Sequence, residues 1–138
     1  MKVELLTLSG TKFSGEADEL RLTTTNGQIG ILPHHEPFVA QVVAGPVVVR
    51  PVQGDPEIFA TYGGIVEVTS DYVRLLADEA DHADDLLADE IEEALERAKT
   101  LRDNAKDRVE LEQAQSMIDR AQVRLGVAKM RRTHRRER

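Results

Sequence analysis

Glycine and proline are confined almost entirely to the first part of this chain. All five prolines precede residue 85, and so do all of the nine glycines except Gly126. Both residue types interrupt helices and permit tight turns, so the first part is incompatible with long helices, whereas the rest can form them. The sequence therefore predicts an α+β protein with two domains, residues 1–84 and residues 85–138.

Short apolar and β-branched runs lie between these helix-breaking residues. The runs are Leu20–Thr25, Phe38–Val43, Val47–Val49, Ile58–Tyr62, Ile65–Thr69 and Tyr72–Leu76. Turn signals separate them at Asn26-Gly27, Gly45-Pro46, Gly54-Asp55-Pro56 and Ser70-Asp71. Short strands at such spacing are typical of an all-β sandwich or barrel, and we expect about eight to ten of them before residue 85.

Residues beyond 85 show the periodicity of amphipathic helices instead. Apolar side chains recur every three or four positions in two stripes, Leu87, Ile91, Ala94, Leu95, Ala98 and Leu101, then Leu111, Ala114, Ile118, Ala121, Leu125 and Ala128. The first stripe fades at Asp103-Asn104, which predicts a hairpin of two antiparallel helices. A single continuous helix is the alternative, because no residue in 102–108 forbids helix. The many alanines predict a thin contact, typical of an appendage that can open.

The charged residues are unevenly distributed. The chain has 25 acidic and 18 basic residues, and its formal net charge of −7 disfavours binding of the whole molecule to nucleic acid or an anionic membrane. Residues 78–96 contain ten carboxylates and no Lys or Arg, whereas residues 129–138 contain six Lys and Arg. This distribution suits the helix macrodipoles, but the basic cluster exceeds what helix capping needs. We therefore expect the C-terminal end to face an acidic partner surface.

The chain carries no recognisable catalytic or metal-binding pattern. It has no cysteine, which excludes a disulfide scaffold and a thiolate zinc site. None of its serines lies in a Gly-x-Ser-x-Gly motif. His34 and His35 point in opposite directions if the loop is extended, so we expect one of them to hydrogen-bond within the loop instead of binding a metal. No apolar run approaches the roughly 18 residues of a membrane-spanning helix.

Four motifs carry a resemblance to a known family. They are Phe13-Ser14-Gly15, Gly27-Gln28-Ile29-Gly30-Ile31-Leu32-Pro33-His34-His35-Glu36-Pro37, Gly63-Gly64-Ile65-Val66-Glu67-Val68 and Leu75-Leu76-Ala77-Asp78. In order and spacing they resemble the Phe-x-Gly, Gly-x-x-Gly-Ile-Leu-Pro-x-His-x-Pro, Gly-Gly-x-x-Glu-Val and Val-Leu-Ala-Asp motifs of the epsilon subunit of bacterial F-type ATP synthases. The match spans residues 1–80, and a helical hairpin fits the remainder.

The resemblance implies an N-terminal β-sandwich, a C-terminal two-helix hairpin and a non-catalytic role on the central stalk, or rotor. Such subunits bind the gamma subunit and the ring of membrane c subunits, and they couple proton-driven rotation to ATP synthesis. In many members the hairpin opens toward the catalytic alpha and beta subunits and inhibits ATP hydrolysis. The implied rotor-contacting residues are Gln28, Ile29, Gly30, Ile31, Leu32, Pro33 and His35, and the implied inhibitory contacts are Arg120, Arg124, Lys129, Arg131 and Arg132. Gln28 stands where the family often has an acid, so a charged contact is absent there.

The resemblance also implies a location and a regulatory ligand. The protein would lie on the cytoplasmic face of a bacterial cell membrane, held there by the complex, and the lack of a transit peptide before Met1 favours a bacterial source. Some members bind ATP on the closed hairpin, and Arg97, Arg120 and Arg124 fit that role. The stretch Leu86-Leu87-Ala88-Asp89-Glu90-Ile91 departs from the family's ATP motif, and Glu90 would repel a triphosphate. No other cofactor is expected.

A free-standing adaptor is the alternative function. It would bind nucleic acid or an acidic partner through the basic C-terminal residues, which are its only support. Salt-dependent binding to DNA would favour the adaptor. Co-purification with the gamma and catalytic subunits would favour the rotor role.

Overall fold

The computed structural model describes residues 1–136, with side chains through His134. The chain has two compact units, Met1–His82 and the residues from Ala83 onward. The first unit contains nine strands, β1 (Lys2–Thr7), β2 (Gly10–Thr24), β3 (Gly27–Ile31), β4 (Phe38–Val42), β5 (Gly45–Pro51), β6 (Glu57–Thr61), β7 (Gly64–Val68), β8 (Tyr72–Ala77) and β9 (Ala80–His82). The second contains a short 3-10 turn (Ala83–Asp85) and two helices, α1 (Ala88–Asp103) and α2 (Arg108–Arg136).

Strand β2 belongs to both layers of the sandwich. Its first half pairs with β1, from Lys2↔Glu16 to Thr7↔Gly10, and its second half pairs with β3 and β5. One layer continues from β1 through β8 and β7 to β4, and the other continues from β5 through β6 to β9. The N-terminal unit is therefore the β-sandwich that the sequence predicts, with a strand count inside the expected range.

Aliphatic side chains fill the space between the layers. The largest almost fully buried members of this core are Phe59, Leu5, Leu20, Leu22, Ile31, Leu75, Val3, Val42, Val47, Val49 and Val66. Burying one such large side chain contributes about 1.5–3 kcal/mol, so the unit has a substantial core of its own. Two buried hydroxyls are satisfied locally, because Thr24 Oγ1 donates to the Gly27 carbonyl at 3.0 Å and Thr61 Oγ1 donates to the Gly45 carbonyl at 3.2 Å.

Two features of the sandwich differ from the sequence prediction. The predicted turn at Gly45-Pro46 is wrong, because both residues belong to β5 and Pro46 pairs with Ala60 of β6. The ladder between β5 and β2 reaches only from Val48 to Pro51, so the missing N–H of Pro46 interrupts no bond of that ladder. The second difference is β2, which is 15 residues long because one strand serves both layers.

Helices α1 and α2 contact each other through a narrow apolar strip. The start of α1 lies beside the end of α2, so the pair is antiparallel. The buried residues of the strip are Ala88, Ile91, Leu95, Ala98, Ile118, Ala121 and Ala128. Four of these seven are alanines, which makes the contact thin, as the sequence predicts.

A capping arrangement separates the two helices. Asp107 Oδ1 accepts the backbone N–H of Glu110 at 2.8 Å, and Glu110 Oε2 accepts the backbone N–H of Lys106 at 2.9 Å. These reciprocal bonds satisfy donors at the start of α2 and resemble a capping box. They explain why the chain forms a hairpin here and not the alternative continuous helix.

Three of the four end members of the predicted apolar stripes are exposed, while the fourth, Ala128, is buried. Leu87, Leu101 and Leu111 are 56%, 54% and 46% exposed; Leu87 precedes α1, and the other two lie near the connection between the helices. The C-terminal cations lie within α2 up to Arg136 and not in a separate tail, while Arg138 lies outside the described residues. Among the described residues, neither helix combines the length and the apolar character needed to cross a lipid bilayer.

Candidate functional site

The most distinctive sequence motif forms an exposed turn after β3. The backbone N–H of His35 donates to the carbonyl of Leu32 at 3.2 Å and closes a four-residue turn. Pro33 occupies its second position and His34 its third, where φ is +68°. A proline followed by a residue with positive φ is typical of a type II turn. Glycine usually takes the third position, so His34 adopts a backbone conformation that few side chains favour.

His35 connects this turn to the strand that follows. Its ring Nδ1 lies 2.8 Å from the carbonyl oxygen of Glu36, and its ring packs against Phe38 with the centroids 5.0 Å apart. The prediction that one histidine hydrogen-bonds within the loop is therefore confirmed. Across residues 1–136 there is no group of three His, Cys, Asp or Glu side chains placed to hold a metal.

The first four predicted rotor-contacting residues belong to β3 and alternate between its faces. Gln28 and Gly30 are exposed, Ile29 is half-buried against the core, and Ile31 is fully buried. The alternation follows from the pleat, which turns successive side chains to opposite faces. The side chain of Ile31 therefore anchors the strand and, in this conformation, does not reach a partner. Gln28 and Gly30 are the two that face outward.

The remaining predicted residues lie in the turn itself. Leu32 is 55% exposed, although it follows a fully buried isoleucine. Pro33 and His35 are exposed beside it. An apolar side chain held in the open by a hydrogen-bonded, proline-containing turn is suited to protein contact, because little conformational entropy is lost on binding. The turn is thus a candidate contact surface of the sandwich.

A carboxylate covers the outer face of β3 next to this turn. A Cβ at Gly30 would lie 3.0 Å from Glu19 Oε1, so glycine leaves the space in which that carboxylate lies. Glu19 is only 15% exposed and pairs with Arg21 at 3.0 Å and with Arg50 at 3.5 Å. Two guanidinium groups and one carboxylate therefore occupy this face. Sequence reasoning missed the cluster, because Glu19 and Arg50 are distant in the chain.

A small cleft separates the turn from the connection between β7 and β8. Its volume is about 190 Å³, and its walls are Leu32–His35, Val68–Val73 and Met1. The β7–β8 connection is held by Thr69, whose Oγ1 accepts the backbone N–H groups of Asp71 and Tyr72 at 3.2 and 3.1 Å. Pockets for small organic ligands usually exceed about 300 Å³, so this cleft fits a partner's side chain better than a nucleotide.

The predicted inhibitory and nucleotide-binding cations lie in the helical unit. Lys129 and Arg132 are exposed on α2, whereas Arg120 and Arg124 are half-buried and have partners. Arg97 lines an open depression on α1 together with Asp89, Glu92, Glu93 and Glu96. Four carboxylates beside one guanidinium are unfavourable for a triphosphate, which agrees with the sequence argument about Glu90.

Arg131 differs from the other predicted inhibitory residues, because its side chain is only 23% exposed. Its Nε lies 2.8 Å from Asp84 Oδ1, and its Nη1 lies 3.4 Å from the carbonyl oxygen of Ala83. Sequence reasoning placed Asp84 only in a general acidic run. Nothing local in the sequence links the two residues, since they are 47 positions apart.

Residues 1–83 match a family model described as the beta-sandwich domain of the ATP synthase Delta/Epsilon chain. The fold and the match define the class of this chain, a Delta/Epsilon-type subunit of ATP synthase. The ATP synthase epsilon chain of Nocardia farcinica is 38% identical over 119 residues, which cover 86% of this chain and 87% of that protein. The epsilon chain of Xanthomonas campestris pv. campestris (strain B100) is 38% identical over 122 residues, 88% and 87% of the two chains. The present chain belongs to the ATP synthase epsilon chain family and is a non-catalytic subunit of that enzyme.

Solved structures show the same fold at lower sequence identity. A chain of the Euglena gracilis mitochondrial ATP synthase, from a structure of its OSCP, F1 and c-ring, superposes with a TM-score of 0.74 at 21% identity, over 84% of this chain and 73% of that one. A chain from the central stalk and c-ring of the Tetrahymena thermophila mitochondrial enzyme gives a TM-score of 0.56 at 14% identity, over 93% and 96%. At these identities the likeness concerns the fold alone.

Family membership confirms the resemblance, the fold class and the non-catalytic assignment predicted from the sequence. It also favours a place in the synthase over the free-standing adaptor. The individual contact residues and the regulatory ATP site stay predictions.

Proposed function

We propose that this chain is a rotor subunit on the central stalk of an F-type ATP synthase, where it binds the gamma subunit and the c-ring and couples rotation to ATP synthesis. The family match over residues 1–83 carries this proposal. The protein would be peripheral, on the cytoplasmic face of the bacterial cell membrane, and would reach the membrane only through the complex. Nucleic acid has no part in this role.

The turn of Leu32–His35 would bind the rotor mainly by shape. Its outermost residues Leu32 and Pro33 are apolar, and Gln28 on β3 is uncharged. The carboxylate of Glu19 already pairs with Arg21 on the same strand, β2, and with Arg50 on β5. Because exposed charges contribute little to a contact of this kind, we expect rotor binding to depend weakly on salt concentration.

The hairpin would act as an inhibitory element for ATP hydrolysis. Its contact strip is thin, so separating α1 from α2 exposes little apolar surface compared with unfolding the sandwich. In the separated state, Arg120, Arg124, Lys129, Arg131 and Arg132 would face acidic surfaces of the catalytic alpha and beta subunits. Regulatory ATP, if bound at Arg97, Arg120 and Arg124, would act by favouring one of the two hairpin states.

Leu32→Asp tests the proposed rotor contact. We expect the variant to bind a gamma–c-ring subcomplex at least about tenfold more weakly, because a buried contact would receive an unpaired charge. Binding is measured by titrating the labelled full-length chain into the detergent-solubilised subcomplex.

Leu8→Asp is the matched control for this experiment. Leu8 lies between β1 and β2 and is fully exposed, so the same substitution there changes the net charge without touching the turn. We expect its affinity to stay within about twofold of the unsubstituted chain. Equal affinities for Leu32→Asp and Leu8→Asp would contradict the proposed contact.

A further inference from the structure

The side chain of Arg131 connects the far end of α2 to the turn that precedes α1. Its Nε lies 2.8 Å from Asp84 Oδ1, and its Nη1 lies 3.4 and 3.5 Å from the carbonyl oxygens of Ala83 and Asp84. All of these atoms belong to the helical unit. One guanidinium therefore contacts three oxygens on the 3-10 turn.

The geometry of this contact suits a guanidinium better than an ammonium. The Ala83 carbonyl already accepts the backbone N–H of Leu86 at 3.2 Å, so the guanidinium is a second donor to that oxygen. The partial negative charge of the two carbonyl oxygens favours a cation beside them. Nη1 donates to the two carbonyl oxygens, whereas Nε lies beside Asp84 Oδ1 as an ion pair without hydrogen-bond geometry, an arrangement that the extended planar guanidinium can make and a compact ammonium cannot. Arg131 is largely buried, but Asp84 is 62% exposed, so the contact is of moderate strength.

We propose that Arg131 is a latch that holds the hairpin in its paired state and is released when the helices separate. The contact closes only when the end of α2 lies beside the start of α1. The same guanidinium is among the proposed inhibitory contacts, so it can serve the latch or an acidic partner surface but not both at once. That the contact holds the hairpin in its paired state concerns the helical unit alone. Only the competing role of Arg131 at an acidic partner surface rests on the proposed inhibitory function.

A buried thiol measures hairpin opening in the full chain. The protein has no cysteine, so Ala98→Cys introduces a single reactive group at a position that is 1% exposed in the helix contact. At reagent concentrations where the hairpin closes faster than the thiol reacts, the modification rate is proportional to the equilibrium fraction of open hairpin. We expect Asp84→Asn and Arg131→Gln each to raise this rate about three- to tenfold.

The double variant tests whether the two side chains act as one unit. If they do, Asp84→Asn combined with Arg131→Gln raises the rate no further than the stronger single variant. Asp85→Asn is the control, since it removes the same charge from the neighbouring residue, which is exposed. Equal rates for Asp84→Asn and Asp85→Asn, or additive effects in the double variant, would overturn the latch.

Hydrolysis assays separate the latch from the proposed inhibitory function. Asp84→Asn keeps every arginine of α2, so in the assembled synthase it should lower ATP hydrolysis by up to about three- to tenfold, in step with the smaller fraction of paired hairpins. If Asp84→Asn raises the modification rate of the Ala98→Cys thiol but leaves hydrolysis unchanged, the latch is supported and the inhibitory role of the hairpin is rejected. An unchanged thiol rate would reject the latch whatever the hydrolysis rate.

Discussion

Deleting residues 86–138 is expected to raise ATP hydrolysis by the assembled synthase about fivefold or more, a typical size for coupling between two sites, while ATP synthesis continues. The deletion removes both helices and every proposed inhibitory cation. It leaves the sandwich core intact, because that core contains no residue beyond Ala80. The measurement compares hydrolysis and proton-driven synthesis in membranes that carry the full-length or the truncated chain.

A charge-neutralised chain separates the contribution of the helices from that of their cations. Lys129→Gln with Arg132→Gln removes two exposed charges from α2, and glutamine keeps a good helix propensity. We expect this variant to raise hydrolysis less than the deletion does. The deletion has its own contradicting outcome. If complexes that are shown to retain the truncated subunit hydrolyse ATP at an unchanged rate, the hairpin has no inhibitory role in this protein.

Gly64→Ala is expected to destabilise the sandwich by about 2–4 kcal/mol. Gly64 begins β7 at φ +155°, where an added Cβ would overlap the carbonyl oxygen of Leu76 and lie 2.9 Å from the Cα of Ala77. Both atoms belong to the backbone of the adjacent strand β8, so no side-chain rotation relieves the overlap. Thermal unfolding followed by circular dichroism should show a midpoint lowered by roughly 4–8 °C for each kcal/mol.

Gly126→Ala is a control variant that is expected to raise the stability of the protein instead of lowering it. Gly126 lies inside α2, and an added Cβ would meet no atom within 4 Å. Alanine is favoured over glycine in a helix interior by about 0.5–1 kcal/mol, so this variant should be slightly more stable. Equal stability of the Gly64→Ala and unsubstituted proteins would show that β7 and β8 can separate without cost at this point.

Much of the fold is predictable because its signals are local. The sequence predicts a turn at Asn26-Gly27, and the structure forms one there shifted by one residue, at Thr25-Asn26, with Gly27 as the first residue of β3 at φ +117°. The periodic apolar residues of the helical unit likewise identify both helices. The position of the hairpin turn was also encoded locally, since Asp107-x-x-Glu110 is a capping pattern that chooses a new helix over a continuous one.

The candidate site is less predictable, because its key features depend on residues brought together by the fold. The Leu-Pro-His-His sequence has proline in the right place for a type II turn but no glycine after it, so the positive φ of His34 has no sequence signature. The contact between Arg131 and Asp84 joins residues that only helix pairing makes neighbours. Burial of Ile31 beside an exposed Leu32 also depends on the register of β3 with β2.

The continuity of β2 through both layers has a mechanical consequence. Force applied at β3 passes along β2, which is hydrogen-bonded to β1, β3 and β5. A pull along the strand axis loads these ladders in shear, so many hydrogen bonds must break together, whereas a pull across the edge would unzip them one at a time. A torque applied near the exposed turn would thus be distributed over both sheets, and the sandwich would rotate as a unit before it deformed.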